Sequence, residues 1–268
     1  MDLPILKNRF PFRLGAPSFI YPAGYVENVR RLGPHLDELE LLFFESAPGS
    51  FPDVSEIAAL CRSGEDMGLS YNVHLPVDLH LGHADAVVRQ AAVRRLSEVL
   101  SHCRPLNATT HTLHLSYAEP ESTPEAVELW QARILESLHR LFEISAIAPQ
   151  RISVETLDYP PVWLRPILAE FPLRVCLDVG HLLHHGLDLS TVLEGLKEKI
   201  VIVHLHGTAQ ERDHQALDVL SPSVWELLKP FVADFKGTLS LEVFSPERLA
   251  ISMRCLQEMT DRWCKEPT

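Results

Sequence analysis

The chain has 268 residues, 46% of them hydrophobic and 22% charged, with 36 acidic side chains against 24 basic ones and a formal net charge of -12. That is ample apolar material for a large core, and the acidic balance disfavours a nucleic-acid partner. No run approaches the roughly 20 consecutive apolar residues of a membrane helix, and the start Met1-Asp2-Leu3-Pro4 has neither a basic nor an apolar leader pattern, so the expectation is a cytoplasmic protein without a membrane partner.

In chain order, short β-rich runs ending in polar residues alternate with amphipathic stretches eight times. The strand-like runs are Arg13 to Ile20, Leu39 to Glu45, Ser70 to Leu75, Thr109 to Leu115, Ile152 to Thr156, Arg174 to Asp178, Ile200 to His206 and Thr238 to Phe244. Helical patterns lie between them, at about Ala23 to Leu32, Val54 to Met67 with Ser55 as its cap, and Ala86 to Cys103. In the last of these Val88, Ala92, Leu96, Val99 and Cys103 share a face. The next helix opens on Ser122-Thr123-Pro124-Glu125, where Ser122 and Glu125 have capping-box spacing, and continues through Val127, Trp130, Ile134, Leu138 and Leu141. Further helices are expected at about Pro161 to Glu170, Leu189 to Lys197, Ser223 to Phe235 and Pro246 to Trp263. Trp130, Trp225, Leu138 and Leu227 read as core, and Arg94-Arg95 as a solvated face.

Eight βα units over about 250 residues predict an α/β fold of the (β/α)8 TIM-barrel type: one domain over 1–268, with the barrel at about 13–262. An open doubly wound sheet uses the same alternation. Its G-x-G-x-x-G is absent after the first strand, which runs into Ser18-Phe19-Ile20-Tyr21-Pro22-Ala23-Gly24. Five widely spaced cysteines, with no Cys-x-x-Cys pair, indicate neither a disulfide framework nor a thiolate zinc site.

Catalytic groups of such barrels sit at the C-terminal ends of the strands. There this sequence places His74, then His111 and His114, Glu155, Asp178-x-x-His181, His204 and His206 with Asp213-His214 in the following loop, and finally Glu242. Each alone is best explained structurally: a satisfied core histidine, a paired glutamate, an Asp178 that caps the next helix. Together they place four carboxylates and several imidazoles on one rim with few Lys or Arg nearby, at several kcal/mol per unpaired buried charge. Divalent metal ions resolve this, and imidazole with carboxylate suits zinc, manganese or iron. His204 and His206 share a face by strand period, which makes His206 a pocket residue or a partner that orients a ligand.

The set resembles the xylose-isomerase-like TIM-barrel superfamily, specifically its AP-endonuclease-like branch. The resemblance implies one to three divalent metal ions, usually zinc. In it Glu155 is the bridging carboxylate; Asp178, His204 and Glu242 surround one metal, His74 and His114 hold a second, and His181, Asp213 and His214 a third. The branch separates the last acid and histidine by one residue, whereas Asp213 and His214 are adjacent, which leaves Glu211 as an alternative acid.

A narrower resemblance rests on three segments: Arg13-Leu14-Gly15-Ala16-Pro17-Ser18-Phe19-Ile20-Tyr21-Pro22-Ala23, Glu40-Leu41-Leu42-Phe43-Phe44-Glu45-Ser46 and Val73-His74-Leu75-Pro76-Val77-Asp78-Leu79. These resemble the cobamide-remodelling phosphodiesterases, metal-dependent enzymes that open the nucleotide loop of corrinoids. The implied function is hydrolysis of a small corrinoid phosphodiester, with Glu155 and Glu242 as catalytic residues and Ser18, Tyr21, Glu45 and His206 as substrate contacts. A metal-dependent sugar isomerase or epimerase, an AP-endonuclease-like DNA repair hydrolase and a non-catalytic corrinoid- or metal-binding barrel are the alternatives.

Overall fold

The computed structural model describes residues 2–47, 49–209 and 212–264. Its strands are β1 (Arg13–Pro17), β2 (Glu38–Leu42), β3 (Ser70–His74), β4 (His111–Leu113), β5 (Ile152–Glu155), β6 (Arg174–Asp178), β7 (Ile200–Leu205), β8 (Gly207–Ala209), β9 (Arg212–Gln215) and β10 (Thr238–Leu241). Eight of them close into a parallel barrel in the order β1-β10-β7-β6-β5-β4-β3-β2, as the alternation predicts. The remaining two, β8 and β9, form an antiparallel hairpin in place of the expected plain loop. The observed strands end one to three residues earlier than most of the sequence runs, because their C-terminal residues leave the ladder to form the rim.

The helices are α1 (Tyr25–Leu32), α2 (Val54–Met67), α3 (Ala86–Cys103), α4 (Pro124–Ser145), α5 (Arg165–Glu170), α6 (Val179–His184), α7 (Leu189–Leu196), α8 (Pro222–Asp234) and α9 (Pro246–Trp263). Two caps sit beside the expected residues. Asp53, not Ser55, caps α2 in a reciprocal box with Glu56, and Thr123, not Ser122, caps α4 by accepting from the Ala126 N–H. Trp130, Leu138 and Trp225 are buried as expected, but Leu227 is 42% exposed. Arg95 also departs from the solvated face: it donates to the Ser46 carbonyl and lies over the Phe51 ring.

The barrel interior is unusually polar. Glu38 and Glu40 alternate along β2 with outward Leu39 and Leu41, and all four are fully buried. Glu38 accepts from Arg13, Ser70, Asn72, Thr109 and Thr238, which closes the N-terminal end of the barrel as a hydrogen-bonded belt. Between β6 and β7 the register shifts by one residue: Val175 pairs with Ile200, but Cys176 pairs with Ile202. This bulge changes the facing of β7, so that His204 lies opposite Asp178 and points inward.

Candidate metal centre

Side chains from β3, β6, β7 and α6, and from the segments that follow β4 and β10, converge on Glu155 of β5, which is 1% exposed. Its Oε2 lies 3.2 Å from His74 Nε2 and 3.0 Å from His114 Nε2; its Oε1 lies 3.4 Å from His181 Nδ1. On the other side His204 Nδ1 is 3.2 Å from Glu242 Oε2 and 3.7 Å from both Glu155 Oε2 and Asp178 Oδ2. Among the described residues, the ion-pair partners of Glu155, Asp178 and Glu242 are all histidines.

The donor assignments of these imidazoles are informative. His74 donates from Nδ1 to the Leu75 carbonyl, His204 from Nε2 to Glu40 Oε1, and His214 from Nδ1 to the Glu242 carbonyl. In the neutral form of each ring the remaining nitrogen is a bare lone pair, and it faces a carboxylate: Glu155 for His74, Glu242 for His204 and Asp213 for His214. Two acceptors facing each other at such distances need a proton or a cation between them. His181 Nδ1, His204 Nδ1 and Glu242 Oε2 are moreover buried without a hydrogen-bond partner. Both observations fit divalent cations.

Ligand atoms group accordingly. His74, His114 and Glu155 form an inner group; Asp178, His204 and Glu242 form a central one, which Glu155 adjoins through His204 and through Asp178 and His181; His181, His206, Asp213 and His214 form an outer one. Each group has its ligand atoms within 4.8 Å of one another. The structure therefore brings together all nine sequence-expected ligands: His74, His114, Glu155, Asp178, His181, His204, Asp213, His214 and Glu242.

Charge follows the same geometry. Burial alone would push the Glu155 carboxyl up, yet the His114 and His204 imidazoles beside it hold it well below the usual range. Asp178 is held low in the same way, chiefly by His206 against the effect of burial. Burial disfavours charge on His181 and His206, but Glu155 and Asp178 push His181 up to about 9 and Asp178 and Asp213 push His206 up to about 11.

Local structure explains how the ligands converge. Asp178 caps α6 by accepting the His181 N–H at 2.7 Å, so the cap and the ligand roles coexist, and His181 lies in a helical first turn rather than a loop. Adjacent residues of a strand point to opposite faces. Asp213 and His214 converge because His214 takes a left-handed backbone, φ 51°. Asp213 is present in the outer group; Glu211, the alternative acid, lies outside the described residues.

The expected substrate contacts fare differently. Ser18 is fully buried, and its Oγ accepts the Leu42 N–H, so it is a backbone anchor. Tyr21 turns to α1, under the Arg31 guanidinium at 4.9 Å. Glu45 is exposed and outside the cluster, and His206 is fully buried within the outer group. Strand pattern does not reveal which of these side chains the neighbouring helices enclose.

Two features lie outside the sequence-based expectations. One is Glu40, although glutamates alternating with leucines in a strand signal inward carboxylates. The second is an aromatic edge: Phe19 stacks on Phe44, which lies 5.9 Å from His74 and 6.3 Å from Phe244, whose ring is 4.9 Å from His214.

The sequence matches the family model described as a xylose isomerase-like TIM barrel over residues 26–259. No curated protein matches it in sequence. Among solved structures, the chain is similar to a D-tagatose 3-epimerase-like protein at 18% identity and a TM-score of 0.79, covering 95% of this chain and 99% of that one. It is also similar to endonuclease IV from Thermus thermophilus, at 18% identity, a TM-score of 0.71 and coverage of 93% and 99%. An L-ribulose 3-epimerase matches at 15% identity, a TM-score of 0.71 and coverage of 95% and 96%. At these identities the structural likeness establishes a shared fold.

Proposed function

The chain belongs to the xylose isomerase-like TIM-barrel family, and from that premise we propose that it is a metal-dependent phosphodiesterase acting on the nucleotide loop of cobamides. The observation that carries this reading is the inner group of His74 and His114, set on the same Glu155 carboxylate that adjoins the central group. An epimerase needs a single metal position, which Glu155, Asp178, His204 and Glu242 would supply by themselves. A second position beside a shared carboxylate suits a phosphodiester. Bound there, divalent ions, zinc first and manganese or iron next, would activate water and neutralise charge on the phosphoryl oxygens.

The protein's own groups would do the rest. Glu155 would hold the two positions in register, because its Oε2, 3.2 and 3.0 Å from His74 and His114, lies 3.7 Å from His204 as well. Glu242, whose Oε2 is buried without a hydrogen bond, would accept a proton at the rim. Phe19, Phe44 and Phe244 would offer an apolar aromatic edge beside the phosphate, which suits a corrinoid or base better than a hydrophilic ketose. The net charge of -12 favours a small substrate over DNA.

The test is elemental analysis of protein purified without chelator or affinity metal, followed by incubation with a coenzyme corrinoid and mass analysis of the products. Two or more metals per chain and loss of the lower nucleotide are expected, with Glu155→Ala or His204→Ala abolishing turnover while leaving the circular dichroism spectrum intact. One metal and epimerisation of a ketose would replace this reading with the isomerase one; incision of abasic DNA would replace it with the endonuclease one.

A further inference from the structure

We propose that His206 is a fourth ligand of the outer metal position, so that His181, His206, Asp213 and His214 form a closed site for a zinc-type cation that anchors the β8–β9 hairpin. Donor atoms of all four residues fall within 4.8 Å of one another. His206 Nδ1 lies 3.0 Å from Asp213 Oδ1, and Asp213 Oδ2 lies 3.6 Å from His181 Nε2 and 3.9 Å from His214 Nε2.

The orientation of the His206 ring is fixed from both sides. Its Nε2–H donates to Asp178 Oδ1 at 3.1 Å, and the His214 backbone N–H, 3.3 Å from Nδ1, has a nearer acceptor in Asp213 Oδ1 at 2.9 Å, which leaves the Nδ1 lone pair unused, 3.0 Å from that same carboxylate oxygen. The Nδ1 lone pair therefore lies on the side of Asp213. The fold also makes room for the ring: a Cβ at Gly180 would come within 1.9 Å of His206 Cε1, so the N-terminal turn of α6 accepts the imidazole only because it carries glycine there. His206 is fully buried, which removes it from substrate contact and leaves it free to ligate.

Four protein donors complete a tetrahedral shell, and structural zinc sites are closed in this way, whereas catalytic ones keep a position open. The outer ion is thus assigned a holding role. It ties Asp213 and His214, at the end of the hairpin, to β7 and α6. Because His206 and His181 each turn their other nitrogen to Asp178, at 3.1 and 3.3 Å, the same site also orients a carboxylate of the central group.

This inference rests on the metal-dependent reading of the rim and is independent of the substrate. The competing account is a protonated His206 clamped between Asp178 and Asp213 with no ion. The test is stepwise cobalt(II) loading of chelator-treated full-length protein and of His206→Gln, read by elemental analysis and by the visible absorption of four-coordinate cobalt. Wild type should take up one equivalent more than the variant, and that equivalent should carry the tetrahedral spectrum. Equal uptake and equal spectra overturn the proposal in favour of the clamp. Hydrogen exchange of the wild-type segment 206–216, with and without cobalt, provides a second readout should the variant fail to fold. Protection on loading is expected, and unchanged exchange overturns the proposal. If wild type takes up no cobalt at all, the metal-dependent reading falls with it; two equivalents with unchanged hairpin exchange overturn this inference alone.

Discussion

Single residues decide which nitrogen of each histidine faces the centre, and Glu40 shows how. Its Oε1 accepts from His204 Nε2 at 2.9 Å and its Oε2 from the Ser240 hydroxyl at 2.9 Å, which leaves His204 Nδ1 for the central group. Partners of this kind typically govern metal affinity by about 10–100-fold. Glu40→Gln keeps the shape and removes the charge, so a loss of zinc affinity in that range is expected in a competition titration with a chelating dye; an unchanged affinity would exclude the role. His111 illustrates the opposite case: it opens β4, at the end of the strand away from the rim, and is purely structural. It is buried and donates from Nδ1 to the Arg151 carbonyl, and burial pushes its pKa down to about 4 against the opposing effect of that hydrogen bond. A group neutral in the folded state and ordinary when unfolded contributes stability fully present above about pH 6.5 and lost as pH falls toward 4. The loss is on the order of 3 kcal/mol. Denaturant unfolding of wild type and His111→Asn at pH 7 and pH 4 should show a smaller acid loss in the variant, and parallel losses would reject the assignment.

At the scale of elements, periodicity is a good guide to helices and a poor one to their approaches. The spans Val54–Met67, Ala86–Cys103 and Pro246–Trp263 agree with their apolar spacing, because a helix face is set by neighbours three and four residues away. The caps lie one or two residues from their expected places because serine, threonine and aspartate compete for the same role, and the winner is the one whose backbone turns extended: Asp53 and Thr123. The hairpin after β7 is too short to show a strand pattern. It nevertheless delivers Asp213 and His214, and its effect depends on the left-handed turn at His214. The bulge in β7 is equally silent in sequence, since a single extra residue leaves no mark on a run such as Ile200-Val201-Ile202-Val203.

At the scale of the molecule, the barrel gathers mutually repelling carboxylates and unpartnered imidazole nitrogens into one buried rim, so on the metal-dependent reading proposed above its stability should be linked to cations. An ion that binds only the folded state contributes about 4 kcal/mol when present at a thousandfold above its Kd. Chelator treatment is therefore expected to lower the thermal midpoint, zinc to restore it, and magnesium, which favours oxygen donors and octahedral geometry, to fail. A midpoint indifferent to chelator would separate the rim from any metal.

The sequence by itself determined the (β/α)8 architecture and pointed to the nine candidate ligand residues that the structure gathers, because alternation and strand-end position are local properties that the closed barrel converts directly into a shared rim. Tertiary structure alone decided the rest: that Ser18 is enclosed, that Tyr21 turns to α1, that Glu40 orients His204, and that His206 sits on Gly180 between Asp178 and Asp213. The physical reason is that these roles depend on which atoms from distant segments meet within hydrogen-bonding distance, and no local pattern in a single chain encodes that.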